Sequence, residues 1–531
     1  MAEFLHFSRD SRMYLVKDNR AWFIPVLDGF SFSQATNASE ITLNEMEDAS
    51  GRSRRGRKMF TDSLSAAEFS FSTYARPFKH NTAYNATGSL ASGGGGAGKA
   101  GNGSATNMHA VEEALWVCMG SKNDYNTSTY AWNHGTTGGA ITSLAMTTPG
   151  TARPANKTYT IAVPGTGVTI GSNSSNVAAS AVVTVTTDGS GAATAVITDR
   201  GIGFRTGATI TIAQSQLGGQ GGNMVLTVTS EAFTTDTTDL DINFFDSNRS
   251  SLSTFDLYFV LSDRSPGLLV YKIANSVINE ASVDFDIDGI ATINWSGFGS
   301  QITDFTSSVT VDTSTPSATA AGQIFIDTDE NYSFYVSSGS GSTKGTHWHH
   351  AIDEGTKDTG NFLRNRLTQL SIAPDATFDT NNTDVDYEDS YSVAITSGNI
   401  TISNNITFLT PEEIGRVNQP IEHVTGTRTV TGSFNCYLGS SDAATNKSKN
   451  LFEDLVQDTE TVINEFELQF NVGGTGATPG LEFKIDRCHL EIPSHSIDDV
   501  ISLETNFHGL GSSIGEADEI ELKYRGPTSL A

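Results

Sequence analysis

Residues 272–302 read KIANSVINEASVDFDIDGIATINWSGFGSQI, and residues 484–514 read KIDRCHLEIPSHSIDDVISLETNFHGLGSSI. At a constant offset of 212, without a gap, Lys272 meets Lys484, Ile273 meets Ile485, Asn294 meets Asn506, Trp295 meets Phe507, Gly297 meets Gly509 and Ile302 meets Ile514. Just upstream, FDLYFVL (255–261) matches FELQFNV (466–472) once one residue is dropped, and both alternate apolar and polar with the period of a half-buried strand. A weaker echo precedes each block. EFSFSTYARPF (68–78) is followed by AVEEALWV (110–117), and TVTGSFNCYL (429–438) by NLFEDLVQ (450–457), the second member of each pair having the spacing of a short amphipathic helix. The shared order of strands, short helix, strands points to one α+β unit of mostly antiparallel strands, duplicated and fused.

Composition agrees with a turn-rich β protein. The 531 residues include 51 Gly, 29 Phe and only 17% charged residues. Lys and Arg number 32 against 60 Asp and Glu, a formal charge of −28, which disfavours a surface that holds nucleic acid through its phosphates. Cys118, Cys436 and Cys488 form neither a disulfide framework nor a metal pair, and a reducing origin is expected. No signal peptide or apolar span of membrane length is expected either.

Residues 151–231 resemble neither copy. They alternate as VVTVTT, TAVIT, TITIA and MVLTV between glycine-rich turns, the reading of an inserted all-β module. The expected organisation is a discontinuous first unit, 1–150 with 232–303, the insertion at 151–231, a connector with a small β-hairpin at 304–360, and a second unit at 361–531.

Short catalytic and ligand motifs fail on context. GGGGAGKA (93–100) has Ala100 where a phosphate loop needs Ser or Thr, and lacks the flanking strand and helix. HWHH (347–350) has no further ligands at zinc spacing, and DTDEN (327–331) is followed by Tyr332 where a calcium loop turns on Gly. DFDIDG (284–289) and TDVDYED (383–389) alternate acidic and apolar residues like a solvated strand face. No cofactor, metal or catalytic residue is expected, and the chain does not read as an enzyme. GRSRRGRK (51–58) stands out, because Arg52, Arg54, Arg55, Arg57 and Lys58 gather five basic residues in an acidic chain. It reads as a docking loop for an acidic neighbouring subunit, an inert solvated loop, or a nucleic-acid contact.

With both copies laid out, the chain resembles a phage major tail tube protein with two fused tail-tube units. In the second copy the resemblance is carried by NITISNNITFLTPEEIGRVNQPIEHVTGTRTVTGSFNCYL (399–438), NLFEDLV, FELQFNV, LEFKIDRCHLEIP and NFHGL. In the first it is carried by GFSFSQ (29–34), SAAEFSFSTYARPF (65–78), VEEALWV, FDLYFVL and NWSGFG (294–299). The resemblance implies a mainly β fold in which each unit has two packed antiparallel sheets, a flanking helix and a long loop. It implies stacked trimeric rings with pseudo-sixfold symmetry, forming a virion tube through which phage DNA is ejected. Implied partners are further copies, a tape measure protein inside the tube, and terminator and baseplate or tip proteins at its ends. The implied location is the virion, after synthesis in the host cytoplasm. An acidic lumen would repel phosphate. The long loop implied to span the ring-to-ring interface corresponds to residues 44–64, which makes Arg52, Arg54, Arg55, Arg57 and Lys58 candidate inter-ring contacts. The alternative reading is a β-rich decoration or receptor-binding protein that recognises host glycans.

Overall fold

A computed structural model describes residues 10–40, 50, 59–80, 107–120, 124–126, 131–133, 141–150, 153–163, 168–170, 181–199, 207–231, 239–242, 244, 252–262, 267–330, 332–352, 362–374, 390–414, 417–439, 447–457, 465–474, 479–497, 500–511 and 519–526. The fold is mainly β, with antiparallel sheets and two α-helices among these residues.

The alternating segments become two sets of strands that pair in the same way. The first set is β1 (Arg12–Lys17), β2 (Arg20–Ile24), β3 (Ser31–Glu40), β4 (Met59–Tyr74), β5 (Phe255–Ser262), β6 (Leu269–Asp286), β7 (Thr292–Gly299) and β8 (Gln301–Asp304), with helix α1 (Glu113–Gly120) between β4 and β5. The second is β9 (Gln369–Pro374), β10 (Tyr391–Val393), β11 (Ile395–Ser403), β12 (Thr429–Tyr437), helix α2 (Ser448–Gln457), β13 (Phe466–Val472), β14 (Gly480–Leu490), β15 (Ser494–Ile497), β16 (Ile501–Gly509) and β17 (Glu521–Arg525). β14 and β15 together stand where β6 stands in the first set.

Register carries the equivalence to single residues. Leu257 faces Ile273 across β5 and β6 and Leu468 faces Ile485 across β13 and β14, and both pairs adjoin a β-bulge in the same place. The offset of 212 holds through Ile278 and Leu490, which face Gly297 and Phe507. Beyond that point the simple alignment fails. Five residues (287–291) join β6 to β7, but only three (498–500) join β15 to β16, so the offset falls to 210. Phe507, not Gly509, therefore occupies the place of Gly297.

β6 serves two layers. Its first half lies in an outer sheet ordered β2-β1-β5-β6-β8, its second half in an inner sheet, and Asn275 at the changeover has φ +50. β6 then pairs with β11, from Glu280↔Ser403 to Asp286↔Ser397. That pairing fuses the two copies into one inner sheet, β3-β4-β7-β6-β11-β12-β16-β15. The second outer sheet runs β10-β9-β13-β14-β17, with strand Asp239–Ile242 on its edge. A single apolar core, including Phe71, Trp295, Phe434, Phe483 and Phe507, fills the space between inner and outer layers across both copies.

The two helices differ. α2 keeps the amphipathic pattern, with Leu451 and Leu455 buried and the Lys449–Glu453 pair (3.3 Å) exposed. The expected amphipathic helix at 110–117 is instead α1 at 113–120, buried on every side. Trp116 packs edge-on against Trp295 (4.6 Å) and Phe483 (6.4 Å), which belong to different copies. α1 thus plugs the joint between the copies.

The inserted segment forms two facing sheets with their own core of Val183, Val185, Ile210, Leu226 and neighbours. Strand Ile141–Thr148 pairs with Met224–Glu231, so this sheet begins ten residues before 151. Residues 309–350 form a four-stranded sheet, more than a hairpin, whose Ile324, Ile326, Phe334 and Val336 cover the outer face of the first copy. Tyr14, Tyr258, Val260 and Val270 lie beneath it, and the equivalent residues of the second copy are Ser371, Gln469, Asn471 and Glu482. The apolar residues sit where a cover exists.

Candidate functional site: a cation-free sheet face

One face of the inner sheet packs on the core, and strand alternation sends every second side chain to the other face. Reading across paired residues, successive rows of that outward face are Ser31, Ser70, Ser296, Glu280, Ser403, Thr429; then Ser72, Asn294, Ser282, Thr401, Thr431, His508; then Tyr74, Thr292, Asp284, Asn399, Ser433, Asn506; then Asp286, Ser397, Asn435, Glu504, Ser494. Hydroxyl, amide and carboxylate groups form the whole array, apart from one phenol and one imidazole.

Hydrogen bonds link several members of these rows. The Ser31 and Ser70 hydroxyls share a bond of 2.8 Å, the Ser72 hydroxyl donates to Asn294 Oδ1 (2.7 Å), and Asn294 Nδ2 donates to Asp284 Oδ2 (3.1 Å). Asn435 Nδ2 donates to Ser397 Oγ (3.1 Å), and Asn506 Nδ2 to Glu491 Oε2 (2.8 Å). Asn506 and His508 together hold the Glu491 carboxyl below its usual range. Such ladders fix side chains that would otherwise be free to reach a ligand.

Charge on this face has one sign. Glu68, Glu280, Asp284, Asp286 and Glu504 point outward, while residues 276–286 of β6 and the strands β3, β4, β7, β11, β12, β15 and β16 contain no Lys or Arg. Without Lys or Arg these strands offer phosphate no permanent cation, and their carboxylates repel it. At one end the face turns apolar, where Val277, Leu252, Ile406, Phe298 and Phe408 form a small cluster.

Several sequence candidates resolve into structural roles. Asp284 and Asp286 lie on the polar face with Phe285 turned inward, as the alternation of DFDIDG requires. Asp327 and Glu330 of the DTDEN run both accept from Lys344 Nζ, the second at 2.8 Å, so an ammonium group occupies the position open to calcium. His349 Nε2 lies 2.9 Å from Ser338 Oγ, and burial lowers this imidazole to about 4. No group of three metal-binding side chains occurs among the described residues. All three cysteines are buried and free, and burial pushes the Cys118 and Cys436 thiols up to about 12. The 93–100 glycine run, the 383–389 acidic run and Arg52, Arg54, Arg55, Arg57 and Lys58 lie outside the described residues. The basic run joins β3 to β4, whose pairing extends to Glu40↔Met59.

Sequence reasoning gave no role to the equivalent loop of the second copy, 404–428. It crosses onto the first copy, where Leu64 N donates to Asn418 O (2.9 Å) and Asn418 N to Asp62 O (3.1 Å). Its exposed Leu409, Ile414, Val417, Ile421 and Val424 were visible as apolar residues flanking Pro411 and Pro420.

No family model matches the chain. It is similar to the tail tube protein pb6 of Escherichia phage T5, 30% identical over 284 residues, which is 53% of this chain and 50% of that protein. That half of the chain resembles a phage tail tube protein. The chain spans about half the length of the curated relative it matches. No helix of the described residues is long and apolar enough to cross a membrane.

Proposed function

We propose that the protein polymerises as stacked trimeric rings into a phage tail tube, with the cation-free sheet face turned to the lumen. The observation that carries this reading is the continuity of that face across both copies. Three chains of two copies would close a ring of pseudo-sixfold symmetry through one repeated contact. Eight inner strands per chain make 24 per ring, and a spacing of about 4.8 Å gives a backbone bore of roughly 37 Å before strand tilt widens it. DNA would move along a wall of hydroxyls, amides and carboxylates that offers it no salt bridge. The two tail-tube units are residues 1–150, less the strand Ile141–Thr148 that joins the inserted sheet, with 232–303, and residues 361–531, and the tape measure, terminator and tip proteins are the partners at the lumen and ends.

Arg52, Arg54, Arg55, Arg57 and Lys58 then dock on acidic residues of the next ring. Charge reversal at Arg54 and Arg55 should block elongation and leave trimeric rings intact, and tubes of normal length from that variant would remove the role. The reading as a whole is tested by negative-stain microscopy at high protein concentration, with mass measurement of the soluble fraction. Hollow tubes or trimers are expected. A stable monomer or an elongated fibre would move the assignment to a decoration or receptor-binding protein.

A further inference from the structure

We infer that neighbouring chains of the ring join by antiparallel pairing of β15 of one chain with β3 of the next, in the register Ser494↔Ser33, His495↔Phe32, Ser496↔Ser31 and Ile497↔Phe30. This inference rests on the ring reading and adds to it the strands, the register and the residues of the joint.

The chain contains the template. Within it the last inner strand of the first copy, β6, pairs with the first inner strand of the second, β11, through Ser282↔Thr401, Val283↔Ile400, Asp284↔Asn399 and Phe285↔Gly398. The register equivalences place Ser494, His495, Ser496 and Ile497 where Ser282, Val283, Asp284 and Phe285 stand, at the offset of 212. The pairings of β7 with β4 and β16 with β12 carry the equivalence onward to β3 and β11 at an offset of 368, which sets Phe30, Ser31, Phe32 and Ser33 against Gly398, Asn399, Ile400 and Thr401.

The two strands that would meet are the ends of the inner sheet. Among the described residues β15 pairs with β16 alone and β3 with β4 alone, so each presents one open edge, and all four residues of β15 are exposed. Unpaired edges of this kind are templates for association.

Burial supports the register. Phe285 is 3% exposed and stacks on Phe470 of the second copy, ring centres 5.6 Å apart, whereas its equivalent Ile497 is 77% exposed. The equivalent of Phe470 is Phe259, which stacks on Phe30 (5.7 Å) and Phe32 (4.6 Å). In the next chain these three rings form the seat that Phe470 provides in cis, and Ile497 fills it. The side chain entering is smaller than Phe285, and the residue opposite it is larger than Gly398. The polar rows also run on, since Ser502 and Ser496 would be followed by Ser31 and Ser70. A one-residue slip would set side chains of opposite facing against each other, Ser31 beside His495 or Ile497, and break the polar row.

The test uses the full chain carrying Ser31→Cys and Ser496→Cys, assembled and then oxidised. Directly opposed residues of an antiparallel pair lie about 4.5–5.5 Å apart, within disulfide reach, while diagonal neighbours at about 7–8 Å fall outside it. A covalent trimer under denaturing, non-reducing conditions is expected from this pair, and little from Ser31→Cys with Ser494→Cys. Ile497→Asp should leave the circular dichroism of the chain unchanged and abolish rings. Rings that form normally but cross-link only in the shifted pair would overturn the register and leave the ring reading standing. A wild-type chain that forms no rings overturns both.

Discussion

Two Gly–Phe contacts show how single residues hold the copies to one geometry. At Gly297 a Cβ would lie 2.5 Å from the Phe69 ring and collide with the Val277 carbonyl. At Gly432 it would lie 2.5 Å from the Phe507 ring and collide with the Asn399 carbonyl. Glycine faces phenylalanine in both copies, but the ring comes from β4 in the first and from β16 in the second. Gly297→Ala should therefore destabilise the chain by about 1–3 kcal/mol, seen as a lower urea midpoint, because the backbone on one side cannot yield. Glu112 is a second such position. It is fully buried beside α1, accepts from Tyr524 of the second copy and from Arg76 N (3.2 Å), and burial raises its carboxyl from the ordinary 4.5 to about 7. A carboxyl raised on folding binds its proton more tightly in the native state, so its stabilising effect is complete below pH 4.5 and lost as pH climbs to about 7. The loss amounts to about 3 kcal/mol. Glu112→Gln should flatten denaturation midpoints measured between pH 5 and 8, and an unchanged slope would assign the pH dependence elsewhere.

At the scale of elements, the four-stranded sheet over the first copy is held by a buried ion cluster. Lys344 binds Asp327, whose side chain is 2% exposed, and Glu330, and lies 5.0 Å from the Tyr335 ring. Lys344→Met would strand the Asp327 charge, and breaking such a pair costs about 3–5 kcal/mol in full burial, less here because the lysine is partly solvated. Limited proteolysis should then cut within 304–352 first and expose Tyr14 and Tyr258, while the rest of the chain stays resistant. This sheet also marks where sequence reading stopped. Strand period and order were legible in FDLYFVL and FELQFNV, because half-buried strands alternate. Residues 309–350 were legible only as a connector with a hairpin, since nothing local told that Val270 and Glu482 occupy equivalent positions. The polar rows were equally hidden. TINWSG and NITIS each showed hydroxyls and amides at alternate positions, but their alignment into one face depends on pairings between strands more than 100 residues apart, as for Ser282 and Thr401. The two-residue deletion between β15 and β16 escaped for the same reason, because chance identities such as Gly297 with Gly509 carried the alignment past it.

For the whole molecule, the sign of the inner face is the property that the tube reading stakes most on. Replacing Glu280, Asp284 and Glu504 by Lys should leave assembly intact, because all three point away from the core, yet convert the face to one that binds DNA. Co-sedimentation of open tubes with duplex DNA should rise from background in the wild type to salt-sensitive retention in the variant. Equal retention by both would mean that this face is not the lumen. The same molecule is asymmetric at its other surface. The 309–350 sheet adds a third layer behind the first copy, and the second copy has polar residues in its place. A closed assembly of three chains would thus be sixfold when counted from the bore and threefold when counted from outside, with thick sectors alternating with thin ones. A protein gripping the exterior would find only three identical footholds, whereas one threading the interior would meet six nearly equal walls.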